Sequence, residues 1–264
     1  MKIGVIGVGA IGSAIADGME SLGHSVIRHD IKLKTNITIT KEAEVVFICV
    51  PTNSNQDGSV NMLIVNDVVD ELNQLGYQGI ICVKSTSKPG NTKMLMEKYS
   101  NLKICFVPEF LRERCAYDDF IYNHDLLLIG STDEFIIENV KKIHKHLPKK
   151  IKSCTTTEAE FVKYFSNNYN ALRISFANYF YELCKLSNAN YDVVLENYLE
   201  RDHNFGDYLG CNENLRGYGG MCLPKDVKAI VNFANEIGLN LDLMKTVDLD
   251  NQKVKTTVFD GMRK

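Results

Sequence analysis

The chain has 264 residues, 45% hydrophobic and 24% charged, with a net charge of −3 at pH 7. That length accommodates one α/β domain or up to two smaller ones, and the balance is that of an ordinary soluble globular protein. Scattered Lys and Arg give no groove for nucleic acid and no membrane patch, and no apolar run approaches the roughly 20 residues a bilayer requires. The eight cysteines (49, 82, 105, 115, 154, 184, 211 and 222) include no C-x-x-C pair, which points to reduced thiols, a cytoplasmic setting and no metal site. The strand-like start Met1-Lys2-Ile3-Gly4-Val5-Ile6 leaves no place for a signal peptide.

Lys2–Gly7 reads as a short apolar strand, followed by Gly7-Val8-Gly9-Ala10-Ile11-Gly12 and a helical segment that stops at Gly23. A second strand, Ser25–Arg28, leads to Asp30, 18 residues after Gly12. A G-x-G-x-x-G between strand and helix is a dinucleotide fingerprint. Gly7 makes the tight turn, Gly9 admits the pyrophosphate, and Gly12 lets helix pack on strand. The phosphates then rest on the helix N-terminus at Ala10 and Ile11. Asp30 is placed to accept from the ribose diol, and its charge repels a 2′-phosphate, which favours NAD; the nearby Arg28, Lys32 and Lys34 keep NADP open.

Strand and helix then alternate. Val45–Val50, Gly79–Lys84, Leu102–Val107, Leu126–Gly130 and Lys150–Cys154 read as strands, and Asn61–Leu75, Asn91–Tyr99 and Glu134–His146 as helices. The pattern predicts an α/β, Rossmann-type doubly wound parallel sheet with helices on both faces over residues 1–154. Such sheets bind ligands beyond the carboxyl ends of their strands. Val50-Pro51-Thr52, Thr86 and Pro108-Glu109 all fall there.

From residue 155 the pattern is helical only. A helix over Thr157–Leu186 carries Val162, Phe165, Tyr169, Leu172, Phe176, Phe180 and Leu183 at steps of three or four. Lys163 and Asn167, four apart, share one of its faces; an exposed polar stripe is the ordinary meaning of such a pair. A loop-rich stretch, Arg201–Gly220, precedes Gly219-Gly220-Met221-Cys222-Leu223-Pro224-Lys225-Asp226, then helices over Pro224–Ile237 and about Leu241–Phe259. Pro suits the first turn of a helix. The Cys222 thiol would therefore sit at a helix N-terminus with Lys225 nearby, and both favour thiolate. A lone cysteine is more often a packed thiol, so the neighbours decide.

Four stretches in order carry a resemblance: Ser85-Thr86 with Pro89-Gly90, Pro108-Glu109-Phe110-Leu111-Arg112-Glu113, Glu160-Phe161-Val162-Lys163 with Asn167, and Gly219–Asp226. With the N-terminal fingerprint they resemble the UDP-glucose/GDP-mannose dehydrogenase family, from Met1 to about Asn251. The resemblance implies an NAD-binding domain (1–154) and a central helical dimerisation domain (155–264), without the family's C-terminal UDP-binding domain. It implies oxidation of a nucleotide-sugar alcohol, UDP-glucose foremost, to the carboxylate with two NAD. Cys222 would form a thiohemiacetal and then a thioester. Lys163 and Asn167 would hold the oxyanion, Thr86 and Glu109 would handle water and proton, and Asp226 would serve the hydrolytic water. Glu113 and Lys225 would contact cofactor or substrate; Phe110, Leu111, Arg112, Tyr218 and Gly219 would line the substrate path, together with Arg216, which has no family counterpart. A homodimer through the helical domain is implied as well.

The residue types agree with that chemistry. Hydride loss from an aldehyde needs a tetrahedral adduct, which a thiolate makes. The oxyanion needs a cation or donors, and water attack needs a base. Three features depart from the pattern: the absent C-terminal domain, a connection of only eleven residues at Ile31–Lys41, and the loop Asn212-Glu213-Asn214-Leu215-Arg216-Gly217-Tyr218. They leave two alternatives: an NAD-dependent dehydrogenase performing a single oxidation of another sugar substrate, and a non-catalytic NAD-binding dimeric module.

Overall fold

The computed structural model describes residues 1–200, 211–213 and 216–254. The chain divides into two compact units: residues 1–53 with 60–163, and residues 54–59 with everything from 164 onward. The division falls inside the long helix, between Lys163 and Tyr164.

The first unit is built on β1 (Lys2–Ile6), β2 (Ser25–His29), β3 (Val45–Ile48), β4 (Ile80–Val83), β5 (Lys103–Phe106), β6 (Leu126–Gly130) and β7 (Lys150–Cys154). They form one sheet in the order β2-β1-β3-β4-β5-β6-β7. Every ladder is parallel except where β5 meets β6 through one antiparallel pair, Phe106 with Gly130. Every residue of β3 and β4 is buried, as expected of central strands covered on both faces. The edge strand β7 instead exposes Lys150 and Lys152, and lysine on an edge discourages pairing with another chain.

The helices are α1 (Ala10–Ser21), α2 (Leu63–Gln74), α3 (Asn91–Lys98), α4 (Ala116–Ile121), α5 (Glu134–His144) and the start of α6 (Thr156–Leu186). Sequence periodicity does not announce α4, because six residues are too few to show one. It is fixed by packing: Phe120 lies so close to α1 that a Cβ on Gly18 would fall 2.3 Å from the ring. The eleven-residue connection after Asp30 folds into two 3₁₀ turns, Ile31–Leu33 and Ile37–Glu42, capped by the side chains of Asp30 and Asn36.

The second unit contains the rest of α6, then α7 (Tyr191–Leu199), α8 (Leu223–Glu236) and α9 (Asp242–Asn251). The 54–59 loop joins it through Asn232 Nδ2, which donates to the Asp57 carbonyl at 3.3 Å. Of the expected last helix, residues 255–259 lie outside the described residues. The buried face of α6 here includes Tyr164, Asn167, Ala171, Ala177 and Asn178, whereas Phe165, Tyr169, Phe176, Phe180 and Leu183 are exposed. Among the described residues no helix is long and apolar enough to cross a membrane.

The first unit also buries polar groups beneath its sheet. The Lys84 ammonium donates to the Val107 carbonyl at 3.3 Å and lies 5.4 Å from the Phe47 ring centroid. His124 and His144 meet edge to face with centroids 5.8 Å apart, and His144 Nδ1 bonds the Val140 carbonyl at 2.8 Å. Burial is the first cause that lowers all three pKa values, with Lys84 adding repulsion on both histidines; His124 falls to about 4. The unfolded chain therefore takes up protons below about pH 6.5 that the folded chain refuses. Histidine-linked stability is intact above that value and is lost as pH falls toward 4, by about 1.4 kcal/mol per pH unit per imidazole. Urea midpoints measured from pH 7 to 4.5 should fall steeply, and His144→Leu should flatten that slope. An unchanged slope in the variant would show that His144 is not the group responsible.

Candidate active site

The glycine turn has the steric form a dinucleotide needs. Gly7 adopts φ +89°, a region that disfavours residues with a side chain. A Cβ on Gly12 would lie 1.9 Å from the Gly7 carbonyl oxygen, so the third glycine is required by the approach of α1 to β1. At Gly9, the N-cap of α1, a Cβ would meet nothing within 4 Å, which leaves room for pyrophosphate against the first-turn N–H groups of Ala10 and Ile11. Asp30 accepts the Val8 N–H at 2.7 Å and the Lys32 N–H at 2.8 Å. The Lys32 N–H, joined by that of Val8, outweighs burial and keeps the Asp30 carboxyl below its ordinary pKa. Arg28 is bound to Asp17 at 2.6 Å and Glu20 at 2.5 Å, so this cation is committed to α1.

Beyond β3, Val50 and Thr52 are buried and Pro51 is exposed; the Ser85 hydroxyl donates to the Val50 carbonyl at 2.7 Å, joining this turn to the one that carries half-buried Thr86. Beyond β5, Glu109 and Lys163 are brought together. The Lys163 ammonium donates to Glu109 Oε1 at 2.8 Å and to the Glu109 carbonyl at 2.7 Å, while Oε2 accepts the Leu111 N–H at 2.8 Å. Lys163 is only 4% exposed. The Phe110 ring lies 5.9 Å from its ammonium. Arg112 turns its guanidinium onto Asp119, and Asp119 also accepts the Arg112 N–H at 2.9 Å. Burial alone would raise the Asp119 pKa, but the Arg112 bonds prevail and lower it. Glu113 opens the short 3₁₀ turn that follows.

In the second unit Cys222 is the N-cap of α8, exposed, with Pro224 in the first turn. The Asp226 N–H bonds the Cys222 carbonyl at 2.9 Å. Asp226 is completely buried, accepting from Asn167 Nδ2 at 2.5 Å on Oδ2. The Lys225 ammonium lies 3.0 Å from Oδ1, near enough for an ion pair but not aligned for a hydrogen bond. Lys225 thus faces Asp226.

Arg216 and Tyr218 are placed differently from the loop reading. Arg216 pairs with Glu182 at 2.7 Å and donates to Asn178 at 2.5 Å, both on α6. Tyr218 is buried among Ala171, Val227 and Val247, and the Asn251 amide holds its backbone N–H at 2.7 Å and its carbonyl at 2.8 Å. Gly219 follows, half-buried, and Asn214 and Leu215 lie outside the described residues. Three polar residues that organise these loops escape the sequence reading as such: Asp119, Asn251 and the carboxylate of Glu160. Asn251 shows no sequence signal at all. Glu160 shows one, an acid one helical turn before a buried lysine.

A strand–turn–helix that admits pyrophosphate is a dinucleotide-binding architecture, and a helical unit with a cysteine at a helix N-terminus follows it in the chain. Residues 31–148 match the UDP-glucose/GDP-mannose dehydrogenase family's NAD-binding domain and residues 157–253 its central domain. The chain belongs to the UDP-glucose/GDP-mannose dehydrogenase family, and its cofactor is NAD. It is 31% identical over 238 residues to the UDP-glucose 6-dehydrogenase of Pseudomonas aeruginosa, covering 84% of this chain and 51% of that one. It is 29% identical over 230 residues to that of Bacillus subtilis, with 83% and 51% covered. The structure of a UDP-glucose dehydrogenase from Pyrobaculum islandicum superposes with a TM-score of 0.87 at 26% identity, over 96% of this chain and 68% of that one. The chain thus spans about half the length of the curated relatives it matches.

Lys163→Met would leave the Glu109 carboxylate buried without its cation. The expected loss is about 3 kcal/mol of unfolding free energy, read from the urea midpoint at constant m-value. A loss below about 0.5 kcal/mol would mean that the pair is not buried as described.

Proposed function

We propose that the chain is an NAD-dependent nucleotide-sugar dehydrogenase of the cytoplasm, oxidising the C6 alcohol of a UDP-sugar, UDP-glucose foremost, to the carboxylate. The observation that carries this reading is Cys222 at the N-cap of α8, one turn before a buried Asp226 that is hydrogen-bonded to Asn167. A buried thiol would favour a packing role; this one is exposed. Bound NAD supplies the hydride acceptor for both oxidations.

The chain's own groups supply the rest. Glu109, through a water or with Thr86, receives the alcohol proton as the alkoxide forms, and the Lys163 ammonium stabilises that oxygen. The Cys222 thiolate adds to the aldehyde carbon, making the C–S bond and placing the charge on oxygen, which Lys163 and Asn167 neutralise. Loss of the second hydride from this adduct leaves a thioester on Cys222. Water, oriented by Asp226, attacks the thioester; the C–S bond breaks and the thiolate is restored. The balance is one alcohol, one water and two NAD+ consumed, and one carboxylate, two NADH and three protons formed. Gly7, Gly9, Ala10, Ile11, Gly12, Asp30, Val50, Pro51, Thr52, Glu113 and Lys225 serve the cofactor in this reading. Phe110, Leu111, Arg112, Arg216, Tyr218 and Gly219 form or support the substrate rim. A homodimer would cover the exposed aromatic face of α6, where Phe165 is 77% exposed.

The test is NADH released from a panel of UDP- and GDP-sugars, with the acid product quantified and the solution mass measured. Two NADH per acid and a mass twice the 29.8 kDa of one chain are expected. Cys222→Ala should abolish acid formation. No turnover by folded protein that binds NAD would overturn the catalytic reading; a monomer would overturn the dimer.

A further inference from the structure

Glu160 lies in the second turn of α6, three residues before Lys163, yet no part of its side chain reaches solvent. Its carboxylate is turned to the N-terminus of α3. Oε2 accepts the Gly90 N–H at 2.6 Å, and Oε1 accepts the Thr92 N–H at 3.0 Å and the Thr92 hydroxyl at 2.6 Å. Those N–H groups belong to the N-cap and N2 positions of α3; an ordinary cap residue's side chain meets the N2 or N3 donor, and an acid at N3 the N-cap donor. Gly90 has none, and its φ of +91° is a conformation that Ser or Asp would adopt only with strain. The missing cap is delivered by α6.

Two buried side chains one turn apart therefore fasten the start of α6 to different loops. Glu160 grips the loop from β4 to α3, which carries Thr86, and Lys163 grips the loop after β5, which carries Glu109. We propose that Glu160 is a positioning residue: by capping α3 it fixes Lys163 in register with Thr86 and Glu109. The proposal rests on the roles given to those three residues above. A negative charge at this position suits the α3 dipole; burial raises the Glu160 pKa, and the bonds from Thr92 and Gly90 oppose that rise.

The test compares Glu160→Gln with Thr92→Val. Gln keeps the shape but turns an amide N–H₂ toward one of the α3 donors and removes the charge; Val removes one hydrogen bond and leaves the charge in place. Glu160→Gln should lower kcat tenfold or more and leave KM for NAD within twofold of the parent, because Lys163 loses its register with Thr86 and Glu109 while the glycine turn is untouched. Thr92→Val should lower kcat severalfold with KM for NAD likewise unmoved, and the double variant should be less than additive. A cap with a structural role only would change the melting temperature and leave kcat at the assay temperature where it is. Folded Glu160→Gln with kcat within twofold of the parent overturns the proposal. Should that variant not fold, Thr92→Val decides, and unchanged kcat overturns it.

If the parent itself turns over no nucleotide sugar, the function proposed above has failed, and amide exchange decides on Glu160. Faster exchange of 85–95 and 156–163 together in Glu160→Gln supports the coupling; a change in one segment alone, or in neither, overturns it.

Discussion

Removing the Lys163 ammonium and the Glu109 carboxylate from water is the constraint around which the first unit's functional end is arranged. Either charge alone in so buried a position would cost several kcal/mol, so each requires the other and further hydrogen bonds. The structure supplies them: the ammonium takes both a carboxylate oxygen and the Glu109 carbonyl, and the second carboxylate oxygen takes the Leu111 N–H. This fixes the backbone beyond β5 as well as the two side chains. The Arg112–Asp119 bonds then hold the next stretch, including the Arg112 N–H. The Pro108–Arg112 loop is consequently pinned by charge at both ends, in addition to the packing of Leu111 against the core. A loop that must stay polar and still keep its shape has few other means of doing so.

The same logic governs the second unit with different residues. Asp226 is wholly buried, and its partners are an amide and a neighbouring ammonium. Asp226 N–H meanwhile closes the first turn of α8 onto the Cys222 carbonyl. The acid is thus set at a fixed axial distance from the thiol by helix geometry alone. Its burial keeps it from wandering to solvent, as an exposed first-turn acid would.

Much of this was legible in the sequence, for reasons that differ by element. The central strands read clearly because β3 and β4 are buried on both faces and so are apolar without interruption. The glycine turn read clearly because its backbone admits no Cβ at Gly12. The short α4 did not, since its position is decided by a tertiary contact, Phe120 against Gly18, and the 3₁₀ turns did not, since each is too short to show a period. On α6 the large aromatics follow helical spacing yet face outward, while alanines face in; periodicity identifies the stripe but not which side of it is covered. In the Cys222 loop the burial of Tyr218 was not legible, because the Asn251 amide that draws it into the core is 33 residues away and nothing local announces it.

Asp30 shows why a cofactor preference needs geometry beside charge. Three cations flank it in sequence, enough to keep a 2′-phosphate in play. In the fold, Arg28 is neutralised by Asp17 and Glu20, so it makes no free contribution to the potential over the ribose position. Asp30 itself is tied at one oxygen to the Val8 N–H of the glycine turn. A carboxylate bonded to the same turn that would bear the pyrophosphate does not swing aside freely for a phosphate ester; accommodating one would cost the Asp30–Val8 hydrogen bond. The preference for an unphosphorylated ribose therefore follows from the link between Asp30 and Val8 as much as from the sign of the charge.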